Sequence, residues 1–186
     1  VSGARSGLVF VHGLSEHSGR YEAVARYFVD RRHSVHLFDL RGHGQSRGDR
    51  AYADSLQEFL ADMQIFLKKV RETETAPLFL VGHSFGGQLS LNYIANPPET
   101  EPLAGVILSS PNIRLAMKIP WIKERAGHLL SRFLPVLPLG NEIPVQKISH
   151  DPEVVRRYLS DPLVQKKITA RLGSLIAIGK GDVPEE

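Results

Sequence analysis

Cysteine is absent from the 186 residues, which excludes a disulfide framework, a thiolate nucleophile and any cysteine-based zinc or iron–sulfur site. Long apolar runs are absent too. Stretches such as 8–11 and 175–178 are strand-sized, far below the roughly 18 residues of a membrane span, so no bilayer crossing is expected. The opening VSGARSGLVFVHG has too short an apolar core for a secretory signal, and it begins with Val1 rather than an initiator methionine, so residues upstream of Val1 are expected. There is no tract of like charge and no aromatic-basic interleaving, which argues against nucleic-acid binding. Histidines and carboxylates lack ligand spacings such as His-Glu-x-x-His, so no metal or organic cofactor is expected. What remains is 42% hydrophobic and 23% charged, the balance of a globular domain rather than collagen, coiled coil or a disordered chain.

The formal charge of +3 is unevenly spread. Residues 1–111 hold 11 basic and 12 acidic side chains, and 112–186 hold 12 and 8. The basic excess therefore lies entirely in the second part.

The first part alternates strand and helix patterns. Residues 7–11 predict a strand, 21–32 a helix with Val24, Ala25 and Phe28 on one face, and 34–39 a second strand. A glycine-rich loop, Arg41-Gly42-His43-Gly44-Gln45-Ser46, follows. Apolar residues at 56, 59, 60, 63, 67 and 70 then predict a long amphipathic helix N-capped by Asp54 or Ser55. A third strand is expected at 77–81, a helix at 84–95 ended by Pro97 and Pro98, and a fourth strand at 103–108. Strands separated by helices require right-handed crossovers, hence a parallel sheet covered on both faces. The fold class is α/β. Beyond Pro111 the alternation stops, and prolines at 120, 135, 138, 144, 152 and 162 break an apolar, helical module. Its Ala126, Leu129, Leu130, Phe133 and Leu134 form one stripe, and Ile168, Leu172, Leu175 and Ile176 recur at helical spacing. These boundaries divide the chain into an α/β unit at 1–111, a helical module at 112–178 and a return to the first unit at 179–186.

Gly82-His83-Ser84-Phe85-Gly86 fits Gly-x-Ser-x-Gly. The bare pentapeptide is weak evidence, but here a predicted strand enters it and a predicted helix leaves it, the strand-turn-helix of a nucleophile elbow. Such a bend places Ser84 on strained backbone and needs small neighbours where strand and helix pass closely, which Gly82, Gly86 and Gly87 supply. The N–H of Phe85 at the positive end of the following helix can then stabilise an oxyanion. A second donor is expected after the first strand, where Gly13 lets the chain turn so that the N–H of Leu14 faces Ser84. His12, His83 and His43 each adjoin a glycine and are read as packed beneath the turns rather than as bases. A serine that merely caps its helix is the competing reading of position 84.

Together, HGLSEHSGRYE (12–22), RGHGQSRG (41–48), GHSFGG (82–87) and SDPL (160–163) resemble the monoacylglycerol lipase and lysophospholipase branch of the α/β-hydrolases, also called the serine aminopeptidase domain group. The resemblance implies Ser84 as nucleophile, the N–H groups of Leu14 and Phe85 as oxyanion hole, and Glu16 with Arg20 as a charged pair that steadies the oxyanion loop. It implies that 112–178 is a helical cap over an acyl tunnel. The implied substrate is a lipid ester, and the implied location cytoplasmic or peripheral to a membrane. The net +4 of 112–186, with Trp121, Ile122 and the apolar cluster at 129–139, suits either an anionic membrane surface or packing of this stripe against the α/β unit.

The chain also departs from that family's pattern. The order there is serine, acid, histidine. After Ser84 the only histidines are His128 and His150, both inside the implied cap, and Asp182 is followed by no histidine. Neither the acid nor the histidine of a triad is expected among these residues. The resemblance also implies two strands before Val1 and two after Glu186. Without them, 34–39 and 103–108 become bare sheet edges, and residues 1–186 alone are expected to be neither well folded nor active. Rival readings are a short-ester esterase, an aminopeptidase or an acyltransferase of the same fold, and a ligand-binding pseudohydrolase.

Overall fold

The computed structural model of the chain describes residues 3–96, 102–113, 121–141 and 143–178, and for 121–124 the backbone alone. Four of the short apolar runs are strands of one parallel sheet: β1 (Gly7–Val11), β2 (Ser34–Leu37), β3 (Leu78–His83) and β4 (Gly105–Ser109), in the order β2-β1-β3-β4. Val9 lies opposite His36 on one side and Leu80 on the other, and Leu80 opposite Val106. The crossovers are α1 (Glu22–Val29), α2 (Leu56–Arg71) and α3 (Phe85–Ala95).

α2 shows why the sequence folds this way. Its buried residues Phe59, Met63, Leu67 and Val70 recur every three or four positions, so one stripe of the helix meets the sheet. There they join Val9, Val11, Leu78 and Leu80, with Leu89 of α3, in a single core. Full burial of each such side chain contributes about 1.5–3 kcal/mol. Ser55 is the N-cap of α2, yet its side chain makes no capping bond. The Glu58 carboxylate instead accepts from the N–H of Asp54 at 2.8 Å.

The opposite sheet face departs from the expectation of cover on both sides. Phe28 of α1 packs on Phe10, ring centroids 6.3 Å apart, and a cleft lined by Val24 and Phe28 of α1 and by Ile107 of β4 is open on this face. Ile107 is 50% exposed. β2 and β4 are the outer strands of the described sheet, as the sequence predicts.

The second part is not wholly helical. α4 (Trp121–Phe133), α5 (Pro152–Ser160) and α6 (Ala170–Ile178) are accompanied by two three-residue strands, β5 (Pro138–Gly140) and β6 (Lys167–Thr169), paired antiparallel with Leu139 opposite Ile168. Ile168 is therefore a strand residue, and the helix that the spacing predicts starts at Ala170. Leu172 is fully buried in the same core as the sheet, with Ile168 and Ile176 packed against it. Thr169 donates through its N–H and Oγ1 to the Ala51 carbonyl, at 3.2 and 2.7 Å. The stripe on α4 faces solvent: Leu129 is 63% and Phe133 68% exposed. Pro97, Pro98, the side chains of Trp121 and Ile122, and Asp182 with the rest of 179–186 lie outside the described residues. Among the described residues, no helix is long and apolar enough to cross a membrane.

Candidate active site

β3 ends at His83 and α3 starts at Phe85, so a single residue, Ser84, makes the whole bend. Its backbone sits at φ 51° and ψ −115°, a region almost reserved for glycine and worth about 1–3 kcal/mol of strain. Surrounding bonds hold it there. The Ser84 N–H donates to the Ser109 carbonyl at 3.0 Å, and the Ser84 carbonyl accepts from the N–H groups of Gln88 and Asn112 at 3.1 and 3.0 Å. With both backbone groups occupied, the half-buried side chain makes no capping bond to α3. The helix-cap reading of Ser84 is thereby removed.

Close approach explains the flanking glycines. A Cβ on Gly86 would be driven into the carbonyl oxygens of Val11 and His12, and one on Gly82 would stand 2.6 Å from the Gly86 carbonyl oxygen. These obstacles are backbone, and at Gly82 the buried Ser90 Oγ adds a side-chain contact at 2.5 Å.

The loop after β1 lies against the serine. A Cβ built on Gly13 would be 3.3 Å from that of Ser84. Among the described residues, neither the N–H of Leu14 nor that of Phe85, the first residue of α3, donates a hydrogen bond. Glu16 ties down the groups around them. The Gly13 N–H donates to Glu16 Oε1 at 2.7 Å, Tyr21 donates its hydroxyl to the same oxygen at 2.7 Å, and Arg20 Nε donates to Glu16 Oε2 at 3.0 Å. Burial pushes the Glu16 carboxyl up, but the bonds from Tyr21 and Gly13 outweigh it and leave the group below its ordinary range. Glu16 is thus an anion that braces the turn, and Arg20 is its ion-pair partner. Ser15, at φ 63°, is fully buried.

Three histidines sit near the serine, in two different roles. His12 is buried; its Nδ1–H donates to the Gly13 carbonyl at 2.8 Å and its Nε2 accepts from the Leu40 N–H at 2.9 Å, a pattern only the neutral ring satisfies. Burial lowers its pKa accordingly. His43, also fully buried, is pushed down to about 4 by desolvation, with His12 adding to the effect. Both are packed beneath turns, as expected. His83 is not: it is half-buried, contacts the Ser109 carbonyl through Nδ1 at 3.0 Å, and lines a cleft of about 440 Å³ shared with Glu16, Arg20, Tyr21 and Phe10. His83 follows Gly82 on β3, and strand alternation turns it to the opposite face, away from the packed turn. His128 on α4 and His150 are exposed.

Two residues escaped the sequence reading. The carboxylate of Asp39, just past β2, accepts from the Ser18 N–H at 2.7 Å and the Gln45 N–H at 2.8 Å, joining the two glycine-containing loops. Tyr21 supplies the hydroxyl on Glu16. The one signal for Asp39 is a carboxylate at the carboxyl end of a strand, where α/β sheets carry their sites.

The parallel sheet, its crossover helices and its strand order define an α/β-hydrolase fold. The family model described as serine aminopeptidase, S33, matches residues 2–179. A monoacylglycerol lipase from Mycolicibacterium smegmatis is 32% identical over 179 residues, covering 95% of this chain and 63% of the relative. An uncharacterized abhydrolase domain-containing protein of Dictyostelium discoideum is 41% identical over 162 residues, 87% of this chain and 17% of that protein. The crystal structure of Paleococcus ferrophilus monoacylglycerol lipase superposes with a TM-score of 0.81 at 32% identity, covering 94% of this chain and 65% of that one. The chain belongs to the serine aminopeptidase S33 family. It spans less than two thirds of the length of each of these relatives.

Proposed function

We propose that the full-length protein is a serine hydrolase that cleaves carboxylic esters of long-chain acyl lipids, monoacylglycerols or lysophospholipids, through an acyl-enzyme. The observation that carries this reading is the bend at Ser84: a strained, uncapped serine packed against a glycine turn, with unengaged main-chain N–H groups at Phe85, the next residue, and at Leu14 in that turn. Ser84 Oγ attacks the ester carbonyl as its proton passes to a base. The oxyanion is held by the two N–H groups, each donor typically worth about 10²–10³ in rate. The alcohol leaves with that proton, and water then releases the fatty acid. The base and its carboxylate partner are assigned to the portion of the protein outside these residues: both ring nitrogens of His12 are engaged, His43 is fully buried with Nδ1 on the Arg41 carbonyl, and His83 turns Nδ1 to the Ser109 carbonyl.

Residues 112–178 are read as the cap. Burying an acyl chain under apolar side chains gains up to about 0.8 kcal/mol per methylene, which favours long-chain substrates. The exposed Leu129, Phe133, Leu134 and Val136, in the part of the chain with the basic excess, support peripheral contact with an anionic membrane surface. The S33 family also supports an aminopeptidase reading.

Labelling of the full-length protein by a fluorophosphonate, lost in Ser84→Ala, is expected, together with turnover that rises with acyl length and is negligible on aminoacyl amides. Labelling that survives Ser84→Ala removes the nucleophile assignment. Faster cleavage of aminoacyl amides than of esters removes the lipase reading in favour of an aminopeptidase.

A further inference from the structure

The loop that carries Leu14 is fastened at four points. Two lie within the first unit: the Gly13 N–H on Glu16, and the Ser18 N–H on Asp39. The other two come from the turn that follows α5. His17 Nε2 donates to Asp161 Oδ2 at 2.8 Å, and the Gln165 N–H donates to the Ser15 carbonyl at 2.9 Å. His17 is buried and the Asp161 side chain half-buried, so the bond is a charge-assisted one partly screened by water. Asp161 is the common element of both ties. Its Oδ1 accepts from the Leu163 N–H at 2.9 Å and closes the turn that presents the Gln165 N–H, while its Oδ2 holds His17. Nearby, the Arg20 guanidinium lies 4.7 Å from the ring centre of Tyr158 at the end of α5.

We propose that Asp161 and His17 are positioning residues: a latch through which the turn after α5 holds the oxyanion loop, and hence the Leu14 N–H, at the distance from Ser84 that transition-state stabilisation requires. The inference rests on the assignment of Ser84 and Leu14 above. The strained Ser15 sits between Leu14 and the latched His17, so the loop has a conformation to relax into when the latch opens. A donor that moves by about 1 Å loses most of its effect on the transition state while leaving ground-state binding nearly intact.

The test uses the full-length protein with His17→Ala, Asp161→Ala, the double variant and Asp161→Asn, assayed on a long-chain monoacylglycerol. Each alanine variant is expected to lower kcat by about 10- to 100-fold with KM within twofold. The double variant should lose little more than either single one. Affinity for an alkylboronic acid, which forms an anionic tetrahedral adduct with a serine, should fall in step with kcat, and affinity for a non-hydrolysable 1-O-alkylglycerol should not. Asp161→Asn should recover most of kcat, because its oxygen still accepts from the Leu163 N–H and its amide N–H can donate to the other tautomer of His17. Amide hydrogen exchange at residues 14–18 should quicken at least tenfold in His17→Ala. An unchanged exchange rate overturns the latch, as does a loss carried by KM, or losses that multiply in the double variant. Turnover that survives Ser84→Ala overturns the assignment of the nucleophile instead, and the exchange measurement then decides the latch alone.

Discussion

Replacing Ser84 by alanine and by glycine removes the same hydroxyl, but only glycine relieves the backbone at φ 51° and ψ −115°. The strain there is about 1–3 kcal/mol. Glycine surrenders part of it through the extra freedom of the unfolded chain, about 0.5–1 kcal/mol. The difference leaves Ser84→Gly more stable than Ser84→Ala by roughly 1 kcal/mol, or about 2–4 °C in Tm. The side chain makes no capping bond, so Ser84→Ala itself should lie close to wild type. Thermal and urea unfolding of the three full-length proteins side by side reads out both comparisons, with fluorophosphonate labelling as the check that the two variants are equally inert. An alanine variant as stable as the glycine variant would show that the bend is unstrained and refute the reasoning.

Gly86→Ala should destabilise by about 3 kcal/mol or more, since its Cβ meets the fixed carbonyls of Val11 and His12. Gly127→Ala on α4 has open space around it and should instead gain up to about 1 kcal/mol; denaturant midpoints compare the two. Burial holds His43 at about 4, below the 6.5 of a free histidine, so the unfolded chain binds a proton that the folded one refuses. Stability should therefore fall by about 3 kcal/mol as pH drops from about 6.5 to 4, at ~1.4 kcal/mol per pH unit. His12, also lowered by desolvation, adds to the fall. The depressed carboxyls of Glu16, Asp39 and Asp161 contribute stability above their unfolded pKa, and it is lost only below about pH 4. A urea midpoint that is flat between pH 6.5 and 4.5 contradicts the histidine assignment. Leu129→Asp with Phe133→Asp should abolish flotation with anionic liposomes; undiminished flotation places the membrane contact elsewhere.

The sheet was legible because β1 to β4 are short apolar runs separated by helices with a clear stripe, as in α2. The bend at Ser84 was legible because glycines crowd a strand-to-helix junction. β5 and β6 were not: three residues are too few for alternation to show, and Pro138 inside β5 reads as a breaker. Ile168 misled for the same reason, since one residue of a short strand can keep step with the helix after it. The tie between Asp161 and His17 spans 144 positions, a separation over which local pattern says nothing. The SDPL string marked the place without its physical role, which only the folded arrangement of the turn supplies.

Ser84 takes its geometry from the carboxyl end of β4 and the turn beyond it: its N–H donates to the Ser109 carbonyl and its carbonyl accepts from the Asn112 N–H. A nascent chain on the ribosome therefore carries the motif before it carries the residues that hold the bend. Until Asn112 has left the exit tunnel and β4 has docked, the serine is an ordinary residue in a growing polypeptide. The shape of the bend is thus set by residues made after it, and the motif alone does not fold it.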